Sequence, residues 1–250
     1  MRYSPPAIRH SPFAIRYPPS AICHSPSALL HPPFAMRFPP RYNWHMRIYF
    51  ARHGESQANL LHEISNRGLR HGLTRTGREQ AVDLALSLQA HPIRHIYSSP
   101  LLRAIETSVI LANRLSVEFE VTDALREYDC GILEGRSDEA AWLKWHELFD
   151  GWLLHERWDD RIEGGESFHD IRARFQPFVE NLVQKYRNSE TEVVCVSHGG
   201  MYWMMLPIVL KNVDKELISR RGLDYATCIV AESRSDGLYC VEWNGRARSS

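Results

Sequence analysis

Three short stretches of this chain carry side chains that could act on an anion. Arg52-His53-Gly54-Glu55-Ser56 follows a short apolar run at residues 48–51, and Asn59 stands one helical turn further on. Ser99-Pro100 opens a helical pattern with Arg103 in its first turn, and the apolar run Glu192–Ser197 ends in His198-Gly199-Gly200. A guanidinium is a planar, permanently charged fork suited to oxyanions, and an imidazole beside it can serve as donor, base or nucleophile. An apolar run long enough for one buried strand, followed by a glycine that permits a sharp turn into a helix, puts Arg52 and His53 at the strand's carboxyl end. The free N–H groups at the start of the next helix favour an anion in the same place. Arg103 can reach back over its own helix N-terminus into that crevice, and His198 repeats the strand-end arrangement of His53. Of the 13 histidines only these two are singled out, because a lone histidine is more often structural or on the surface.

The elements that must position these groups alternate between strands and helices. After the opening strand, residues 56–62 suggest a short helix, with Glu55 and Ser56 as turn and capping residues. Residues 61–72 lack periodicity and read as a loop near the site. Thr74 or Thr76 then caps a helix with Ala81, Leu84, Ala85 and Leu88 on one face. Ile93–Ser98 is the next strand. The helix behind Pro100 has Leu101, Ile105, Val109 and Ala112 as its expected buried stripe. A short strand at 118–122 leads to a glycine-punctuated loop at 125–135, and residues 138–149 form an amphipathic helix carrying Trp142 and Trp145. Trp152 and Trp158 fall in a less regular stretch ending at Gly164-Gly165. The longest helix runs from Glu166-Ser167 to about Tyr186, and Pro177 inside it predicts a kink or a break. A helix at 201–210 and closing strands at 226–231 and 238–243 complete the pattern. The expected fold is a three-layer α/β/α sandwich with a mostly parallel central sheet, and the tryptophan- and glycine-rich segment 123–165 is a lid over the strand ends.

The zero formal charge of the 250-residue chain hides an asymmetry. Arg2, Arg9, Arg16, Arg37 and Arg41 precede Met46, while the first acidic residue is Glu55, so residues 46–250 carry about −5. That balance offers no basic face for nucleic acid, and no apolar run is long enough to span a membrane. Residues 4–40 repeat with a period of seven and hold ten of the 14 prolines, which excludes a coiled coil. Residues 1–45 are therefore expected to be a disordered proline-rich extension, with a targeting segment and a proline-rich ligand as functional readings. The plainer reading is a tandem repeat in the coding DNA, with Met46 as the natural start and 46–250 as the catalytic domain. Cys23, Cys130, Cys195, Cys228 and Cys240 are odd in number and lack metal-ligand spacing. They read as reduced thiols of a cytoplasmic protein.

Five blocks carry a resemblance to the histidine phosphatase superfamily, the phosphoglycerate-mutase-like enzymes of branch 1. They are RHGES at 52–56, LTRTGREQA at 73–81, SSPLLRAIET at 98–107, LREYDCGILEG at 125–135 with GGES at 164–167, and VSHGG at 196–200. The resemblance spans residues 46–243. It implies that His53 is the nucleophile that becomes phosphohistidine, that Arg52, Asn59, Arg103 and His198 form the phosphate pocket, and that Glu127 is the proton donor. His198 counts among the catalytic residues as well. The chemistry of the residues agrees. Phosphoryl transfer is catalysed mainly by positioning and charge stabilisation, two arginine forks supply the charge, and their field keeps His53 neutral and nucleophilic. A carboxyl group beside a phosphate dianion has its pKa raised, which suits a general acid. Asp129 and Glu134 lie close enough to Glu127 to serve if the loop is set differently. No metal or other cofactor is expected, since the arginines take the charge-neutralising role.

Cofactor-dependent phosphoglycerate mutases continue the signature with a tryptophan two residues after the serine, an aromatic-rich loop and an arginine pair in the lid. This chain has Ala58, no such loop and no adjacent arginine pair at 123–165. The departures favour an acid-type histidine phosphatase, a phosphomonoesterase acting on a small phosphorylated metabolite. A mutase and a sugar-bisphosphate phosphatase are the alternatives within the family, and a catalytically inactive phospho-ligand binding module is the alternative outside enzymes. The expected partner is the small phosphorylated substrate, with neither nucleic acid nor membrane. Oligomeric state is left open.

Overall fold

Seven strands in the order β3-β2-β4-β1-β5-β6-β7 make one sheet in the computed structural model, which describes residues 46–187 and 189–247. The proline-rich repeat expected at 1–45 lies outside the described residues. In chain order the strands are β1 (Arg47–Arg52), β2 (Ile93–Ser98), β3 (Phe119–Val121), β4 (Glu192–Ser197), β5 (Cys228–Arg234), β6 (Gly237–Trp243) and β7 (Arg246–Ala247). The helices are α1 (Gln57–Leu61), α2 (Arg75–Leu88), α3 (Leu102–Leu115), α4 (Glu139–His155), α5 (Phe168–Tyr186), α6 (Gly199–Val209) and α7 (Lys215–Arg221). β3, β2, β4 and β1 pair in parallel, and the expected closing strands β5 and β6, with β7 beyond them, pair antiparallel. The short connections from β5 to β6 and from β6 to β7 leave no room for a crossover helix, so these neighbours pair as hairpins.

Two cores follow from the alternation of side chains along the strands. Ile48 and Phe50 of β1, Val193 and Cys195 of β4 and Ile229 of β5 face a core filled by α4, α5 and α6. Tyr49, Ala51, Val194, Val196 and Val230 face the opposite core under α2 and α3. The α/β/α sandwich read from the sequence is thus the observed architecture. Among the described residues no helix is long and apolar enough to cross a membrane. Cys130, Cys195, Cys228 and Cys240 are buried free thiols.

Several local expectations change. The buried face of α3 is Arg103, Ala104, Thr107, Ser108 and Leu111, while Ile105 is only partly buried and Val109 is exposed. Small and polar residues face inward because Thr107 docks on the loop after β1, accepting from Gly54 N at 3.2 Å and donating to the Arg103 carbonyl at 2.8 Å. Pro100 precedes the helix rather than occupying its first turn. Trp152 belongs to α4, which extends to His155 and buries it fully. α5 runs through Pro177 as one 19-residue helix, capped by Ser167 and Asp170, and it buries Val179 while Phe178 is only partly buried.

Gly54 does not serve the turn. It is absent from the left-handed region, and a Cβ there would run into the carbonyl group of Gly77, whose own Cβ would strike the Glu55 carbonyl. The pair lets α2 lie directly against the Arg52–Ser56 loop, with Thr74 capping α2 through Gly77 N at 2.9 Å.

Candidate active site

Register brings the candidate residues together. Arg52 of β1 lies opposite Ser197 of β4, and His53 N donates to the Ser197 carbonyl at 3.0 Å, so His53 and His198 leave the sheet side by side. Their rings are 5.0 Å apart. On the other flank of β4, Ser98 of β2 lies opposite Val196, and the following Ser99 meets His198 Nε2 through its Oγ at 2.7 Å. Three parallel strand ends therefore meet at one crevice, the expected place for a site in an open α/β sheet.

The His53 ring has a defined tautomer. Its Nδ1 lies 2.7 Å from the Gly54 carbonyl, which can only accept, so Nδ1 carries the proton. Nε2 then holds a lone pair, and it accepts from Arg103 Nε at 3.1 Å. Burial, with Arg103 and Arg52 adding to it, holds the His53 imidazole well below its ordinary pKa. Arg103, buried on α3, is pulled down to about 10 by the same desolvation, and it remains a cation at neutral pH. Arg52 donates from Nη1 to the Leu223 carbonyl at 2.7 Å and lies 4.0 Å over the Tyr225 ring.

His198 is completely buried, and burial followed by the fields of Arg103, His53 and Arg52 lowers its pKa well below the usual value. Ser99 Oγ accepts from Leu101 N at 3.3 Å, so its own hydrogen is available to His198 Nε2. Two buried nitrogens in this cluster, Arg52 Nε and His198 Nδ1, have no hydrogen-bond partner. An oxyanion would supply the acceptors they lack.

Glu127 sits in the loop after β3 with Oε2 accepting from Gly200 N at 3.1 Å and Oε1 from Tyr128 N at 3.2 Å. Desolvation raises its pKa against the opposing pull of Arg103 and the two N–H groups. Gly200 is required here, since a Cβ would press on the Tyr128 ring and both Glu127 oxygens. Asn59 uses Oδ1 to hold the start of α1, accepting from Ser56 N at 3.0 Å and Ser56 Oγ at 2.8 Å.

Arg52, His53, Asn59, Arg103 and Glu127 line a pocket of about 720 Å³, with α4 of the lid segment as one wall and His198 directly behind His53. Asp129 and Glu134 are engaged elsewhere. Asp129 binds Arg67 and caps Gly131 N, and Glu134 accepts from Asn66 N at 2.7 Å. Glu63 pairs with His71 and Arg70, and no cluster of three metal-ligating side chains occurs among the described residues.

The sequence profile of the histidine phosphatase superfamily, branch 1, matches residues 48–246. The chain belongs to this superfamily. A bifunctional protein of Mycobacterium tuberculosis is 32% identical over 198 residues, covering 78% of this chain and 52% of that protein, so the chain spans about half the length of this curated relative. Probable phosphoglycerate mutase GpmB of Salmonella choleraesuis is 31% identical over 157 residues, covering 62% of this chain and 70% of the relative. Among solved structures, a mycobacterial glucosyl-3-phosphoglycerate phosphatase shares 26% identity at a TM-score of 0.64, over 80% of this chain and 99% of that one. The second of these relatives is named as a probable phosphoglycerate mutase and the solved structure as a phosphatase.

Some working parts of this histidine phosphatase site escape sequence reasoning. Ser99 was visible inside the SSPLLRAIET block, yet its bond to His198 exists only through strand register. Tyr225 and the Leu223 carbonyl, which orient Arg52, lie in an irregular stretch with no pattern to mark them. Trp203 of α6 and Asp150 of α4 reach the pocket wall because their helices cross over the strand ends.

Proposed function

We propose that this superfamily member is a phosphomonoesterase that hydrolyses a small phosphorylated metabolite through a phosphohistidine on His53, with Glu127 as proton donor. The observation that carries the reading is the state of the His53 ring, protonated at Nδ1 against Gly54 and offering its Nε2 lone pair between two arginines. Nε2 attacks phosphorus, forming a P–N bond as the ester P–O bond breaks. The Glu127 carboxyl gives its proton to the departing alkoxide, a step suited to a carboxyl with raised pKa. Water then attacks the phosphohistidine and gives a proton to the Glu127 carboxylate, and the P–N electrons return to Nε2. Arg52, Arg103, Asn59 and His198 bind the phosphoryl oxygens throughout, and Arg103 passes its hydrogen bond from Nε2 to an oxygen as the P–N bond forms.

Rapid quenching with a radiolabelled phosphomonoester is expected to trap acid-labile, alkali-stable label on the wild-type chain and none on His53→Ala. A chelator is expected to leave turnover unchanged. Turnover lost on chelation and restored by a divalent ion, or label that persists in the His53 variant, overturns the mechanism. A mutase is the second reading, favoured by the similarity to GpmB. Isomerised product in place of free phosphate from a phosphoglycerate would select it.

A further inference from the structure

The wall of the pocket opposite the phosphate end has a composition of its own. Trp142, Trp145, His146, Phe149 and Asp150 follow helical spacing on α4 and all line the pocket, while Ala141, Leu148 and Trp152 on the same helix go to the core. The pocket-side aromatics are half-buried and already packed together. Trp145 stacks on Phe149 with centroids 4.9 Å apart at 16°, meets Trp142 edge-on at 5.5 Å, and Phe149 leans on Trp203 at 5.8 Å. The Trp142 ring is further fixed by its Nε1 donating to the His62 carbonyl at 2.9 Å. A preorganised aromatic wall binds a flat apolar group without the entropy cost of ordering it.

Among the described residues Arg52 and Arg103 are the arginine or lysine side chains that line this pocket, while Glu63, Asp150 and Asp224 line it from three different segments, Asp224 close enough to Arg52 to act on its charge. Glu63 pairs with Arg70 at 3.0 Å and lies 2.9 Å from His71 Nε2. Asp150 and Asp224 form no ion pair with a described residue; Asp224 only accepts from Asn244 Nδ2 at 3.2 Å. Beside the α4 wall, a second anionic group on the substrate would face the Asp150 carboxylate.

We infer that the leaving group of the substrate is an uncharged alcohol with a flat apolar face, stacked on the Trp145–Phe149 wall, and that esters bearing a carboxylate or a second phosphate are disfavoured by Asp150. The inference rests on the phosphomonoesterase reading of the same pocket, and it separates this chain from relatives named for phosphoglycerate chemistry. Phosphonates test it without requiring turnover. Calorimetry on the full chain is expected to show benzylphosphonate binding at least ~10-fold tighter than 4-carboxybenzylphosphonate, the scale of one repelled charge or one lost aromatic contact. Asp150→Lys is expected to narrow that ratio by several-fold, and Trp145→Ala to weaken benzylphosphonate while leaving methylphosphonate nearly unchanged. Equal or tighter binding of the carboxylated ligand overturns the inference, as does a Trp145 variant that weakens both phosphonates alike. Phosphate release from benzyl phosphate is read in parallel. If the binding preference appears without any release, the phosphomonoesterase reading falls and the ligand preference stands; release with no preference does the reverse.

Discussion

Arg103 Nε donates to His53 Nε2 across 3.1 Å, so the ring nitrogen proposed as the nucleophile is held by a cation of the proposed phosphate pocket. The contact opposes protonation of the ring, and in the proposed mechanism it is exchanged for a phosphoryl oxygen when substrate enters. Charge and hydrogen-bond geometry at residue 103 can therefore be separated. Arg103→Lys retains the charge and loses the fork. It is expected to slow phosphohistidine formation by about 10²–10³-fold while His53 stays neutral near pH 6. Arg103→Gln removes the charge and is expected to raise the His53 pKa as well. Quench-flow and NMR titration of the ring read the two effects, and an unchanged His53 titration in the Gln variant would show that burial alone holds it down.

Glu127→Gln separates the general acid from loop structure. Its side chain keeps its shape and still accepts from Gly200 N, but it cannot give up a proton. The burst of phosphohistidine formation is expected to slow by about 10²–10⁴-fold with an alkyl phosphate and far less with nitrophenyl phosphate, whose leaving group needs no proton. Equal slowing with both assigns Glu127 an electrostatic or structural role.

Acid should destabilise the fold through its two buried imidazoles. His53 and His198 have folded pKa values below the ordinary value of about 6.5, so beneath that pH the unfolded chain binds more protons. Their contribution is complete above about pH 6.5 and is lost as pH falls towards the folded values, at up to about 1.4 kcal/mol per pH unit for each ring. Glu127 acts in the opposite sense, because its folded pKa is raised; its contribution is present at low pH and fades as pH rises through the folded value. Urea denaturation of His198→Gln between about pH 5 and pH 7 is expected to give a shallower loss than the wild type. Parallel slopes would mean that His198 is not buried as a neutral ring.

Gly54→Ala tests close packing rather than turn geometry. The added methyl group meets the Gly77 backbone, which cannot rotate away as a side chain can. A loss of about 1–3 kcal/mol in unfolding free energy is expected, with a comparable loss for Gly77→Ala. Because the two glycines face one another, the double variant should depart from additivity. A wild-type urea midpoint for Gly54→Ala would refute the contact.

The superfamily, the sandwich and the candidate residues were legible because their signals are local. Apolar runs that end in Arg52-His53 and in His198-Gly199 mark strand termini, and strand ends are where an α/β sheet gathers its site. Thr74 announced α2 by capping chemistry that needs no distant partner. Hydrophobic pattern misread α3, since Thr107 and Ser108 are buried by what packs on them and not by their own transfer energies.

Tertiary structure alone decided the rest. The β1 and β4 register sets His53 beside His198; the Gly54 carbonyl selects the His53 tautomer; and Ser99, Leu223 and Tyr225 meet their partners across gaps of 99 and more than 170 residues in sequence. Types and spacing along a chain determine which groups can form an anion site and which elements carry them. Which nitrogen holds a proton, which carboxylate is desolvated, and which face of α4 meets the ligand depend on burial and on fields from distant residues. Those quantities exist only after the chain has closed on itself.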